Sequence, residues 1–223
     1  MLILALRHNQ ISSIKDLKFK TFYDLQTSLK YNYDQMIELV KKYIKPEPYS
    51  EEDIKKDFNV SIKEIINDIP NHEIVLNSNK EYFLYLRALH VFSESSRVFK
   101  FIEICEKPAY ENQLKDLGNL MNESHKSCRE NYDCSCEELD SLTSLCIKRG
   151  AYGSRLTGAG WGGCCISLVE SNQVSEFIKN ISTYYSKEFN PKIILQDNIS
   201  SLLFATKLGS GACILDLQSA NLY

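Results

Sequence analysis

Apolar residues early in the chain recur at spacings of three and four, as in Tyr33, Met36, Ile37, Val40 and Ile44, which line one face of an α-helix. Lys45-Pro46-Glu47-Pro48-Tyr49 interrupts that helix, because each proline removes an amide donor and pushes its predecessor out of the α region. Ser50, followed by Glu51, Glu52 and Asp53, restarts a short helix with carboxylates at its positive end. Another short helix is expected at residues 61–67. The longest is predicted from about residue 80 to 106, with Tyr82, Tyr85, Leu86, Leu89, Phe92, Phe99 and Ile102 on its apolar face and Pro108 as its stop. A further helix turns Leu114, Leu117, Leu120 and Met121 inward and runs on through residues 122–129. The next opens at Ser135, whose S-x-x-E spacing to Glu138 predicts a capping box, and closes at Gly150.

Beyond Gly150 the pattern shortens toward the period of a strand. Residues 153–157 and 164–169 read as strands flanking a glycine loop, and Val174, Phe177, Ile178 and Ile181 mark a helix. Residues 193–195, 202–206 and 212–217 read as further strands, with Gly209-Ser210-Gly211 as a hairpin turn. The order β-β-α-β-β after a helical stretch predicts an α+β fold: an antiparallel sheet covered by helices on one face.

Composition adds exclusions. The 223 residues are 43% hydrophobic and 25% charged, the balance of a globular protein with a sizeable core. A net charge of −3 leaves no electrostatic footprint for nucleic acid. The apolar run at residues 1–6 is broken by Arg7 and His8, far short of the roughly 20 residues of a spanning helix, so no membrane partner is expected. Eight cysteines, at 105, 128, 134, 136, 146, 164, 165 and 213, read as reduced thiols, and a cytoplasmic location is expected. His125, Cys128, Cys134 and Cys136 sketch a zinc site, but C-x-C is a poor chelating pair; small buried hydrophobes are the preferred reading, and no metal site is assigned.

Glycine is the informative residue. Of nine, the first is Gly118 and six fall between Gly150 and Gly163, so residues 1–117 hold no glycine-rich phosphate loop. Gly158-Ala159-Gly160-Trp161-Gly162-Gly163 matches G-x-G-x-x-G, yet it runs into an apolar strand where a dinucleotide fingerprint must open a helix. No G-K-[ST], H-R-D or D-F-G accompanies it. Ser124, His125 and Asp140 hold the letters of a hydrolytic triad, but adjacent residues on a helix point apart. Glu137, Glu138 and Asp140 suit the macrodipole of a first helical turn. His8, His72 and His90 stand alone, as surface or packing residues. No residue is assigned a catalytic role.

The run Leu120-Met121-Asn122-Glu123-Ser124-His125-Lys126-Ser127-Cys128-Arg129, then Tyr132-Asp133-Cys134-Ser135-Cys136-Glu137-Glu138-Leu139-Asp140, then Gly150-Ala151-Tyr152-Gly153-Ser154-Arg155-Leu156-Thr157 and the glycine loop through Cys164 resembles the galactokinase branch of the GHMP small-molecule kinases. Within that branch it is most similar to eukaryotic N-acetylgalactosamine kinase. Pro46-Glu47-Pro48-Tyr49, Arg87-Ala88-Leu89-His90-Val91-Phe92-Ser93-Glu94 and Leu203-Phe204-Ala205-Thr206-Lys207 extend the match. The resemblance implies a GHMP kinase C-terminal domain with a ferredoxin-like core over residues 1–223, mainly helical at 1–149 and β-rich at 150–223. It also implies a parent reaction in which ATP, with Mg²⁺, phosphorylates the anomeric hydroxyl of galactose or N-acetylgalactosamine. The family's sugar segment G-R-x-N-x-x-G-E-H-x-D-Y, its phosphate loop G-L-S-S-S-A and its catalytic Asp have no counterpart here. The expectation is therefore an absent N-terminal kinase half, an inactive chain by itself, no tight nucleotide binding, and a separate N-terminal half as candidate partner. Thr157, Gly158, Ala159, Gly160, Trp161, Gly162 and Gly163 carry the family's third motif and are expected on the phosphate side of the site. Arg155, on the preceding strand, is left open as to which sheet surface it faces. A non-catalytic galactokinase-like sensor or interaction protein is the alternative reading.

Overall fold

A computed structural model describes residues 1, 3–4, 21–59, 61–66, 73, 76, 81–188 and 202–206. The chain divides into two compact units, Met1–Leu168 and Val169–Tyr223. In the first, short helices α1 (Phe22–Leu29), α2 (Tyr33–Tyr43) and α3 (Glu51–Phe58) each open on a reciprocal capping box, set by Thr21 with Asp24, Asn32 with Gln35, and Ser50 with Asp53. In each box two amide donors that the first turn leaves orphaned are satisfied by side chains. The Ser50 amide, the Lys45 ammonium and the Ser50 hydroxyl hold the Asp53 carboxyl at about 2. A short α4 (Ile62–Ile66) follows, within the expected 61–67; residue 67 lies outside the described residues.

The predicted long helix is α5 (Leu84–Glu106), and its start corrects the expectation. Tyr82 is not on the helix: its amide and carbonyl pair with those of Tyr49 at 2.9 Å, in an antiparallel bridge. The two prolines before Tyr49 leave that stretch extended, and the bridge uses the extended backbone. The apolar face also differs from the pattern. Ala88, Phe92 and Ser96 are the buried positions of α5, whereas Phe99 and Ile102 are 52% and 44% exposed. Only the first half of α5 lies on the core that Leu25, Met36, Val40, Tyr49 and Phe92 build, with the Phe22 and Phe92 rings edge to face at 5.0 Å.

Helix α6 (Gln113–Ser127) passes directly into a π-helical turn, Cys128–Tyr132, which ends at Asp133 in the left-handed region. Helix α7 (Glu137–Lys148) then leads to β1 (Gly153–Thr157) and β2 (Cys164–Leu168), antiparallel with Thr157 opposite Cys164 and Gly153 opposite Leu168. The predicted capping box at Ser135 does not form. Cys136 is the N-cap and contributes no side-chain cap, because the Ser135 hydroxyl donates instead to Asp140 Oδ1 at 2.6 Å. Glu138, kept below its usual value, takes its own amide and the Cys136 thiol.

In the second unit, α8 (Val174–Glu188) buries Phe177 and Ile181 as its three-and-four spacing predicts. Residues 202–206 are described and form no strand, which corrects that expectation. The predicted strands at 193–195 and 212–217, the Gly209-Ser210-Gly211 turn, His8 and His72 lie outside the described residues. The α+β class stands, with a two-stranded antiparallel sheet among the described residues. Among those residues no helix is long and apolar enough to cross a membrane.

Candidate functional site

The glycine loop is the β1–β2 connection, residues 158–163. Its backbone explains its composition: φ is positive at Gly158 (79°), Gly160 (88°), Trp161 (54°), Gly162 (136°) and Gly163 (85°). Such a run is open to glycine and strained for a tryptophan, so Trp161 must be held there by other contacts. Its amide donates to the Cys134 carbonyl at 2.7 Å, and its indole N–H donates to the Asp133 carbonyl at 3.0 Å. Gly160 is pinned by the same carbonyl, since a Cβ placed there would meet the Cys134 oxygen at 2.0 Å. The loop is thus fastened at its centre to the end of the π-helical turn. A Cβ at Gly158, Gly162 or Gly163 would meet nothing within 4 Å, so the backbone there borders open space.

Beside the loop is a cavity of about 390 Å³, lined by Arg155, Glu94, His90, Tyr132, the Cys128–Cys134 pair and the first half of the loop. Arg155 faces α5, which settles its direction: its guanidinium donates to Glu94 Oε1 at 3.0 Å and to the Leu156 carbonyl at 3.1 Å. Glu94 also accepts from the Ser124 hydroxyl on Oε1 and from Arg97 on Oε2. Burial opposes ionisation of this carboxyl. The Ser124 hydroxyl and the charges of Arg155 and Arg97 outweigh it and hold Glu94 below its ordinary value. Arg155 and Glu94 face the cavity as an ion pair, and Arg97 holds Glu94 from outside its lining.

On the same helix His90 bonds the Ser127 hydroxyl through Nδ1 at 3.0 Å and stacks on Tyr132, ring centroids 4.6 Å apart. Arg87 donates to the Asn131 carbonyl, which ties the π-helical turn to α5. His125 fastens the other side. Its Nδ1 accepts the Leu156 amide at 3.2 Å, and its Nε2 lies 3.0 Å from both Asp140 Oδ1 and the Thr143 hydroxyl. An imidazole that accepts at Nδ1 is neutral and carries its proton on Nε2. Burial, which lowers the His125 pKa despite Asp140, favours the same state.

The structure therefore separates Ser124 from His125, as adjacent positions on a helix require, while it brings His125 and Asp140 together as a brace whose carboxylate takes Ser135, not Ser124. Of the zinc sketch, His125 has both nitrogens committed, and among the described residues no three His, Cys, Asp or Glu side chains converge to hold a metal. Sequence reasoning missed Glu94 and His90. Their signal was the polar stripe Arg87, His90, Glu94 and Arg97, spaced three, four and three on the longest helix, which reads as a solvated face until β1 is packed against it.

Residues 103–187, which include α6, the π-helical turn, α7 and the glycine loop, match the family model described as GHMP kinases C terminal. This segment has the GHMP kinase C-terminal fold. Two named relatives extend the similarity over most of the chain. A galactokinase of Dictyostelium discoideum is 39% identical over 215 residues, 89% of this chain and 43% of the relative. A galactokinase of Saccharomyces cerevisiae is 33% identical over 195 residues, 82% of this chain and 36% of the relative. The solved Lactococcus lactis galactokinase complexed with galactose aligns with 66% of this chain and 35% of its own, at 27% identity and a TM-score of 0.41. The sequence matches support the galactokinase family within the GHMP kinases. The chain spans less than half the length of these galactokinases.

Proposed function

We propose that the chain provides the glycine-loop side of a galactokinase-type phosphotransferase site, in which ATP phosphorylates the anomeric hydroxyl of galactose or N-acetylgalactosamine. The observation that carries this reading is a loop with four glycines at positive φ, fastened at Gly160 and Trp161 and with open space at Gly158, Gly162 and Gly163, beside a cavity lined by the Arg155–Glu94 ion pair. Phosphoryl transfer is mostly positioning and charge stabilisation, and glycine amides approach phosphate oxygens more closely than any amide behind a side chain. ATP would supply the phosphoryl group. Thr157 to Gly163, apart from the Trp161 amide held by Cys134, would present amides to its oxygens, and Arg155, oriented by Glu94, would stand at the wall. The described residues offer no ligand set for the accompanying Mg²⁺.

The 223 residues contain no sugar-recognition segment and no second phosphate loop of the family's kind, the parts that on the family pattern would supply the base and the sugar contacts. We therefore expect it to be inactive alone, with galactose, N-acetylgalactosamine and ATP as ligands of a longer or two-chain enzyme. The relatives' names favour this over a non-catalytic sensor. The test is to incubate the purified chain with ATP, Mg²⁺ and each sugar and to assay sugar 1-phosphate. No product is expected from the chain alone, and product is expected once a segment carrying G-E-H-x-D-Y and G-L-S-S-S motifs is supplied in cis or in trans. Robust turnover by the chain alone would overturn the division of labour; no product from a folded two-part assembly would overturn the kinase reading.

A further inference from the structure

We propose that Cys128 and Cys134 are a site of oxidative modification, a thiol pair that closes to a disulfide and in doing so displaces the glycine loop. The inference holds whichever ligand the loop serves. The Cys134 amide donates to the Cys128 carbonyl at 3.0 Å. A Cα lies about 2.4 Å from its own carbonyl oxygen and about 1.5 Å from its own amide nitrogen, so this bond keeps the two Cα atoms within about 7 Å, the limit for bridging. The two side chains pack in one small buried cluster, and both thiols are free.

Both side chains are buried from bulk solvent, yet both line the 390 Å³ cavity, which gives a small oxidant a route to them. Among the described residues no other cysteine pair combines this placement with a contact to the loop's anchor. The Cys134 carbonyl is the acceptor for the Trp161 amide, and it is the atom against which Gly160 is packed. A disulfide holds the two Cβ atoms at about 3.8 Å and fixes their torsion; the Cys134 peptide is expected to re-aim, and the loop's anchor with it.

The step is thiol–disulfide exchange with a low-molecular-weight disulfide. One cysteine, as its thiolate, attacks a sulfur of the oxidant, forms a mixed disulfide and releases one small thiolate. The second cysteine, deprotonated in turn, attacks the protein sulfur of that mixed disulfide and expels the second. Two protein thiols lose two electrons and two protons, and the small disulfide becomes two thiols. Burial and the neighbouring Cys134 thiol push Cys128 well above the usual thiol range, so Cys128 rests protonated and its attack accelerates as pH rises from neutral.

Trp161 is the sole tryptophan, 66% exposed and on the loop itself, so its emission reports the loop directly. The full chain, reduced and then held with oxidised glutathione, is expected to fall from eight titratable thiols to six and to shift its tryptophan emission, both reversed by dithiothreitol. Trypsin cuts after Arg129, so a disulfide joins the peptide bearing Cys128 to the one bearing Cys134, and fragmentation identifies the partner. Cys128→Ser and Cys134→Ser should each abolish the shift, and Cys146→Ser should keep it, with circular dichroism confirming that each is folded. The wild-type peptide map stands even if a variant fails to fold. Unlinked peptides, a bond from Cys128 to Cys136 or Cys146, or a correct bond with unchanged emission would each overturn the proposal.

Discussion

At His125 two hydrogen bonds choose a protonation state, and the choice has a measurable pH consequence. The Leu156 amide needs a lone pair on Nδ1, so protonation costs that bond. Burial lowers the pKa of His125, and burial likewise lowers that of His90, so the unfolded chain binds these protons more readily. The stabilisation from the neutral rings is complete above the ordinary histidine value and is lost as pH falls below it toward the lowered folded values. The urea midpoint of the chain should therefore drop between about pH 7.5 and 5.5, a window around the unperturbed value of ~6.5. His125→Gln, which stays neutral throughout, should be less stable at neutral pH and show a flatter dependence.

Glycines make the second residue-scale contrast. Gly160→Ala places a methyl against the Cys134 carbonyl at positive φ, whereas Gly158→Ala has positive φ and open space. We expect about 1–2 kcal/mol from backbone strain in Gly158→Ala and a clearly larger loss in Gly160→Ala, read from urea unfolding. Only Gly160→Ala should also move the Trp161 emission.

Between elements, the decisive contact is backbone against backbone. A Cβ at Gly118 on α6 would lie 2.3 Å from the Tyr152 carbonyl oxygen, and a Cβ at Gly153 on β1 would lie 2.4 Å from that of Gly118. Judged from the helix alone, Gly118→Ala is a gain of about 1 kcal/mol in propensity. Judged from the packing it overfills a contact that has no flexible side chain to yield, at a cost of about 1–3 kcal/mol. A lowered Tm for Gly118→Ala would show that the close approach outweighs propensity; an unchanged or raised Tm would contradict it. Glu94 links the same layers through charge, joining α5 to α6 by the Ser124 hydroxyl and to β1 by Arg155. Glu94→Gln leaves Arg155 and Arg97 without their carboxylate, and a loss of about 1–3 kcal/mol is expected from partly buried charged hydrogen bonds.

Over the whole molecule, activity and stability should come apart along the loop. In an enzyme complete with the sugar and phosphate-loop motifs, Gly162→Ala and Gly163→Ala keep the anchored centre but push a methyl toward the open side. Alanine keeps the amide, but a methyl that holds a phosphate oxygen away from it would forfeit a donor of the kind that typically costs about 10²–10³ in kcat, and that loss should exceed anything visible in Tm. Equal losses in both would mean that the open glycines serve the fold alone.

The glycine count, the helix periods at Tyr33 to Ile44 and the prolines before Tyr49 located the loop, the helices and their breaks before any coordinates, because these depend on neighbours in the chain. The same local logic misjudged Tyr82, Phe99 and the Ser135 cap. A bridge to Tyr49, a core that ends at mid-helix and an Asp140 that recruits Ser135 are all partners distant in sequence or competing for one side chain. What the residues by themselves determined was a glycine-rich strand connection with positive φ and the family it resembles, since those follow from spacing and the missing Cβ. What only the tertiary structure decided was which groups stand beside that loop. Glu94, His90 and Arg155 meet there because a polar stripe on α5 packs against β1, and charge pairing across some sixty residues leaves no local trace.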